Sequence, residues 1–408
     1  FCTLCHDFRM FGKKAQNKRV YLDWAAATPL LPEAKAAMEP YLGELYGNPS
    51  AIHQEGVVAR RAVEEAREKV ARAVQVRPEY VTFTAGGTEA NNLAILGVIK
   101  ELQASGREFS DMEVVTTRIE HPSVLRTMEE LVRLGVAVKH VSVDEVGKVA
   151  IAELRGLLNE KTVLVSVAYA NSEIGTVQPL HSIKKALKEA EQRLGTTINF
   201  HVDAAQAPLW LRCQLDAVGA DFMTLDTAKC CGPKGVGILV RSHRAAISEV
   251  TFGGGQESGL RPGTENVAGI VGAGVALEWA QIGWQERAEQ ARTVRDQAIE
   301  HIQAETPEAI LNGAEGEDRI ANNINISLPG LDTEFTTVVL DKEGFAVSTK
   351  SACSGAGGGE SAVVKEISSD PARASSTLRI TLGPDTTFEQ LKTLSAVLKA
   401  HIDKASKY

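Results

Sequence analysis

Four places along this chain carry side chains that can do chemistry. In Ala85-Gly86-Gly87-Thr88-Glu89-Ala90-Asn91-Asn92, glycines let the backbone approach an anion and Thr88 adds a hydroxyl. A helix starting near Leu93 would add free N–H groups and the positive end of its dipole. That makes a phosphate cradle, although a plain strand-to-helix turn has the same composition. Asp203 closes the apolar run Ile198-Asn-Phe-His-Val202, and Lys229 follows 26 residues later, just before Cys230-Cys231-Gly232-Pro233-Lys234-Gly235. A carboxylate and a lysine at the mouths of parallel strands face one crevice. Such a pair suits pyridoxal phosphate: the lysine forms a Schiff base, and the aspartate keeps the pyridine nitrogen protonated, making the ring an electron sink. Taken singly, the aspartate reads better as a strand-end cap and the lysine as a surface residue. The third place is Glu120-His121, and the fourth is Cys353, set between Ser351-Ala352 and the glycine patch Gly355 to Gly359. Polar, glycine-rich surroundings suit a reactive thiol on a mobile loop better than a packed one.

Strands alternating with amphipathic helices must position these residues, which argues for an α/β fold with a mostly parallel sheet covered on both faces. Tyr80 to Thr84, Glu113 to Thr117, Val163 to Ala168, Ile198 to Val202 and Val236 to Val240 read as buried strands, and Val57 to Val74 as a surface helix. The spacing in Trp279 to Ala304 predicts one long helix leaving the first domain. Ile324 to Ser327 and Leu378 to Leu382 then read as strands of a smaller α+β domain. The expected division is a disordered extension over 1–18, a large domain over 19–280 and a small domain over 281–408.

Composition narrows the class. The 408 residues are 44% hydrophobic and 24% charged, which excludes disordered and fibrous chains. A net charge of −8 without long basic runs argues against a nucleic-acid partner. No run of 18 uncharged apolar residues offers a membrane span. Six cysteines are too sparse for a disulfide framework and follow no zinc spacing, so no metal site is expected and a reducing, cytoplasmic compartment is. Cys2-Thr-Leu-Cys5-His6 fits a haem-attachment string, but nothing else in the chain supports the export that such attachment requires.

From about Val20 onward the chain resembles the cysteine desulfurases of the NifS type, within the fold-type I pyridoxal phosphate enzymes. The resemblance is carried by Tyr21-Leu-Asp-Trp-Ala-Ala-Ala-Thr-Pro29, Gly47-Asn-Pro-Ser50, Ala85 to Asn92, Glu120-His121, Asn171-Ser-Glu-Ile-Gly175 and His201-Val-Asp-Ala-Ala-Gln206. It continues through Lys229 with Gly232-Pro-Lys-Gly235, Gly253-Gly-Gly-Gln-Glu257, Arg261-Pro-Gly-Thr-Glu-Asn266, Ser351-Ala-Cys353 and Leu378-Arg379. It implies a large domain with a mostly parallel seven-stranded sheet between helices, its first residues packing on the small domain, which carries the cysteine loop. By resemblance, Lys229 is the Schiff-base lysine and the base for the substrate α-proton, Asp203 pairs with the pyridine nitrogen, and Gln206 meets the ring hydroxyl. His121 stacks on the ring and helps move protons. Gly87 and Thr88 bind the phosphate, and Asn171 and Arg379 grip the substrate carboxylate. Thr264 reaches the cofactor of a neighbouring subunit, implying a homodimer. Cys353 takes sulfur from L-cysteine as a persulfide, leaving L-alanine, and hands it to a protein acceptor such as an iron–sulfur scaffold or to a thio-modification route.

One departure stands out. The family places Ser-Gly-His before the lysine, whereas this chain has Asp226-Thr227-Ala228. The imidazole donor is lost, Asp226 brings negative charge toward the phosphate, and Thr227 is the expected substitute hydroxyl. Two rival readings follow: a selenocysteine lyase using the same residues, and a catalytically weakened scaffold of the same fold. Cys230 and Cys231 are read as packing residues.

Overall fold

The computed structural model describes residues 19–349 and 359–405. Residues 1–18, with the Cys2 to His6 string, and Ser351-Ala352-Cys353 with most of its glycine patch lie outside the described residues. The strands, in chain order, are β1 (Val20–Tyr21), β2 (Val81–Thr84), β3 (Glu113–Thr116), β4 (Ala137–His140), β5 (Thr162–Ala168), β6 (Asn199–Asp203), β7 (Phe222–Asp226), β8 (Gly237–Arg241), β9 (Ile310–Leu311), β10 (Asn323–Ser327), β11 (Phe345–Ala346) and β12 (Thr377–Thr381).

Seven of them form one sheet in the order β2-β8-β7-β6-β5-β3-β4. Only β8 runs antiparallel to its neighbours. Side chains alternate across this sheet, as the two-residue strand period requires. Phe200, Val202, Met223 and Leu225 enter the main core with helices Gln54–Val74, Leu180–Leu194 and Val267–Gln281. Phe222 and Leu239 face the other way, onto helix Gly87–Ala104. His201, Asp203, Thr224 and Asp226 share that second face by register, and a hydrogen-bonded row of Ser166, His201 and Thr224 crosses it.

Two strands of the seven-stranded sheet escaped the sequence reading, as did the two-residue strands β1, β9 and β11. β4 is a four-residue edge strand, half-exposed, with little apolar signal. β7 is central, but its alternation ends on a charged residue because that end serves the site. Two helices also differ from expectation. Helix Gly87–Ala104 begins six residues before Leu93, because its first turns carry polar groups that face the crevice rather than an apolar stripe. The single helix expected over Trp279 to Ala304 is instead the end of Val267–Gln281 and the helix Trp284–Glu305, set 67° apart. Gly283 between them has φ 107°, a left-handed value that glycine supplies without a Cβ clash.

A second core gathers helices Trp284–Glu305, Thr333–Lys342 and Phe388–Ala405 around the antiparallel sheet β12-β10-β9. Leu22 belongs to this core, and β1 pairs in parallel with β11. The segment from Val20 to Leu22 thus packs on the C-terminal unit, and the residues after it pass directly into the crevice beside the large sheet. Among the described residues no single helix is long and apolar enough to cross a membrane.

A buried ion pair ties the N-terminal edge of the large sheet to the loop after β8. Arg67 donates from Nη1 and Nη2 to Glu257 at 2.7 and 2.8 Å, and from Nη1 to Val81 O at 2.8 Å. Glu257 also accepts from Phe83 N at 2.8 Å. Glu257→Ala takes the buried carboxylate from Arg67 Nη1 and Nη2 and leaves the Phe83 N–H unpaired, with only Glu64, mostly exposed, still facing the guanidinium, so it is expected to cost about 3 kcal/mol of unfolding free energy in denaturant titration. The double variant Arg67→Met/Glu257→Met is expected to cost clearly less, because it leaves no buried charge without a partner.

Candidate active site

The C-terminal ends of β6 and β7, the start of helix Gly87–Ala104 and the segment after β1 enclose one crevice. Its lining brings together eight of the residues singled out from sequence: Gly87, Thr88, His121, Asn171, Asp203, Gln206, Lys229 and Arg379. Asp203 is 8% exposed, and its carboxylate is held at both oxygens. Oδ1 accepts from Ala205 N at 3.0 Å, and Oδ2 accepts from Asn91 Nδ2 at 2.7 Å. The same Asn91 nitrogen donates to Ser123 Oγ at 2.9 Å. Ser123 lies 2.8 Å through Oγ from His121 Nδ1 and donates its backbone N–H to that nitrogen at 3.1 Å. A backbone donor on Nδ1 makes it the acceptor nitrogen, so the neutral ring carries its proton on Nε2. One continuous chain of bonds therefore orients both the carboxylate and the imidazole. Asn91 was missed from sequence, where its signal is spacing: it lies four residues after Gly87, on the same helical face.

Beneath Asp203, the buried His201 sits between Ser166 Oγ at 2.8 Å and Thr224 Oγ1 at 3.1 Å. Burial lowers its pKa to about 4, against the opposing pull of Asp203, so the imidazole is neutral. Glu120 behaves in the complementary way. Burial raises its pKa to about 8; the bond from Thr117 Oγ1, 2.7 Å away, opposes the rise and the charge on Asp203 adds to it. At neutral pH Glu120 therefore adds no second charge beside Asp203.

The segment after β1 supplies backbone acceptors. Lys229 Nζ donates to Ala26 O, and Gln206 Nε2 to Ala25 O at 3.0 Å. Arg379, 1% exposed, donates to Asp23 Oδ1 and Ser172 O, each at 2.9 Å, while its buried Nε has no hydrogen-bond partner among the described residues. Asn171 is committed to shaping its own loop: Oδ1 accepts from Glu173 N and Ile174 N, and Nδ2 donates to Ile119 O.

Two expected residues lie elsewhere. Thr227 does not reach the crevice as a substitute hydroxyl. It is 1% exposed, and Oγ1 lies 2.6 Å from Pro233 O and 2.8 Å from Val236 O, so its proton is spent on the turn leading to β8. Thr264 is exposed and does not line the crevice. Cys353 lies outside the described residues. The described cysteines, Cys213, Cys230 and Cys231, are buried thiols away from the crevice lining, and burial raises the pKa of each.

This donor set fits a phosphorylated aromatic cofactor. The N-cap Gly86 offers no side-chain bond to its helix, so the first-turn N–H groups beside Gly87 and Thr88 are left for an anion. The restrained Asp203 carboxylate suits a protonated ring nitrogen, Lys229 a carbonyl carbon, and the orphaned Arg379 Nε a substrate carboxylate.

The chain belongs to the class-V aminotransferase family, whose model matches residues 20–394, and its cofactor is pyridoxal phosphate. Among its relatives is the cysteine desulfurase IscS of Dictyoglomus turgidum, 39% identical over 388 residues, covering 95% of each chain. A solved NifS-like protein is 32% identical with a TM-score of 0.86, covering 94% of this chain and 99% of that one. A solved SspA in complex with cysteine is 29% identical with a TM-score of 0.74, covering 90% and 99%.

The raised pKa of Glu120 sets a pH dependence. Below about pH 4.5 folded and unfolded chains both hold its proton; between 4.5 and about 8 only the folded chain does, so rising pH favours unfolding. The full effect is on the order of 5 kcal/mol. Glu120→Gln is therefore expected to gain stability relative to wild type as pH rises from 5 to 9, read by denaturant unfolding of the cofactor-free protein. A constant difference across that range would remove the assignment.

Proposed function

We propose that this protein is a cysteine desulfurase, converting L-cysteine to L-alanine and passing the sulfur to an acceptor through a persulfide on Cys353. The observation that carries the reading is the convergence of Lys229, Asp203, His121 and Arg379 on one crevice. Bound pyridoxal phosphate supplies an electron sink for the bonds at the amino-acid α-carbon. Arg379 holds the substrate carboxylate through guanidinium hydrogens not engaged by Asp23 and Ser172, so the α-carbon is set beside Lys229. Lys229 Nζ takes the α-proton. The bonds from Asn91 keep Asp203 in place to face positive charge on the ring, and His121, its ring plane set by Ser123, moves a proton through Nε2. The Cys353 thiolate attacks the substrate sulfur, forming an S–S bond as the C–S bond breaks. The C–S electron pair stays with the carbon skeleton, which takes up protons to become alanine.

The wider setting belongs to the same proposal. The protein works as a homodimer, a reading supported by the exposed Thr264 outside its own crevice and by the exposed apolar run Leu42, Tyr46, Ile52 and Val57. Its acceptor is a protein thiol such as that of an iron–sulfur scaffold, and its compartment is the reducing cytoplasm, which persulfide chemistry needs and which suits the unpaired described cysteines.

Purified protein given L-cysteine, pyridoxal phosphate and a reductant is expected to release alanine and sulfide in equal amounts. Lys229→Ala and Cys353→Ser are each expected to lower both products at least about 100-fold. Wild type that binds cofactor yet releases neither product would leave the weakened-scaffold reading standing. A Cys353→Ser variant that still turns over L-selenocysteine would favour the lyase reading for that substrate.

A further inference from the structure

The residue at the mouth of β7 bears on how the cofactor is held. Asp226 shares a sheet face with Thr224 and Phe222, the face covered by helix Gly87–Ala104. Its carboxylate meets the start of that helix directly. A Cβ built on Gly87 would lie 3.3 Å from both Asp226 Cβ and Oδ2. Oδ1 accepts from Ala228 N at 3.0 Å, capping the short turn Thr227–Lys229 and fixing the plane of the carboxylate so that Oδ2 stays toward Gly87. Gly87, Thr88 and Asp226 line the same crevice. The first helical turn thus has a resident anion beside its N–H groups, where the field of the helix favours negative charge.

The neighbouring carboxylates are each held by partners of their own. Glu89, in the same first turn, is paired with Arg261 at 3.1 Å and accepts from Ala85 N. Asp203, at the end of the neighbouring strand, is held by Asn91. Lys229 lies three residues beyond Asp226, with its Nζ directed to Ala26 O. A phosphate placed in the cradle must share the helix terminus with the Asp226 carboxylate, and at a few ångströms in a partly buried crevice like charges repel strongly.

We propose that Asp226 is a built-in competitor of the cofactor phosphate, making the cradle hold a dianionic phosphate more weakly than its backbone donors alone would. Retention of the cofactor then depends mainly on the ring contacts and on Lys229, and the cofactor exchanges with solution. The inference rests on the cofactor site assigned above.

The test separates charge from shape. The full chain, freed of cofactor, is titrated with pyridoxal 5'-phosphate and, separately, with pyridoxal, which lacks the phosphate, following the absorbance of the bound aldehyde. Wild type is compared with Asp226→Asn, which keeps an oxygen for the Ala228 cap, and with Asp226→Ser, a smaller neutral residue; thermal unfolding reports the fold of each. The expected result is at least about tenfold tighter binding of the phosphorylated ligand in both variants, with pyridoxal affinity unchanged within about twofold. Inorganic phosphate is expected to compete better in the variants than in wild type. Unchanged or weaker binding of the phosphorylated ligand in folded variants overturns the proposal and leaves Asp226 as a cap of the Lys229 turn. Parallel changes for both ligands overturn it too, because they place the effect on the ring or the lysine. If wild type binds neither aldehyde, the cofactor assignment itself falls. That outcome is distinguishable, since the proposal alone predicts intact pyridoxal binding.

Discussion

A carboxylate at the end of a buried strand is costly unless its oxygens are met, and Asp203 is such a group, closing β6 in the middle of the large sheet. Its partners organise the crevice. Asn91 must come from the helix covering that sheet face, so the helix has to begin early, at Gly87, and its first turn has to be polar. The same amide reaches Ser123, which sets the plane of His121, so the group that restrains the charge also aims the ring. Below, the neutral His201 with Ser166 and Thr224 lets a polar layer continue under Asp203 without a second charge. Burial of Glu120 serves the same end by keeping its carboxyl protonated.

The crevice also depends on a chain crossing. Residues after β1 start in the C-terminal unit, through Leu22 and the β1 to β11 pairing, and then lay the carbonyls of Ala25 and Ala26 over Gln206 and Lys229. Asp23, in the same segment, meets Arg379 from β12. Gln206, Lys229 and Arg379 are thereby referenced to one stretch of backbone, although they lie far apart in the sequence. Asp226 introduces a tension into this frame, because the turn it caps presents Lys229 while its other oxygen crowds the helix terminus that attracts anions.

Much of this is legible in the sequence. Lys229, Asp203, His121 and Arg379 stood out because reactive side chains sat at the ends of β-branched runs or within motifs, and strand ends are where parallel sheets place ligands. The buried strands β3, β5, β6 and β8 were legible from continuous apolar runs. β7 was not, because its last residue serves the site, and the break at Gly283 was not, because charge spacing carries on across it.

What the sequence determined by itself is the chemistry available: which residues are nucleophilic, basic or cationic, and that Asp226-Thr227-Ala228 departs from the family pattern. Tertiary structure decided how those groups are used. Thr227, a hydroxyl beside the lysine in sequence, turns to Pro233 and Val236, because a buried hydroxyl bonds the nearest carbonyls. Asn91, a polar residue without distinction in sequence, became the link between Asp203 and His121. Hydrogen bonds with sequence separations of 112 and 32 residues cannot be read from local pattern, since only chain packing brings their ends within reach.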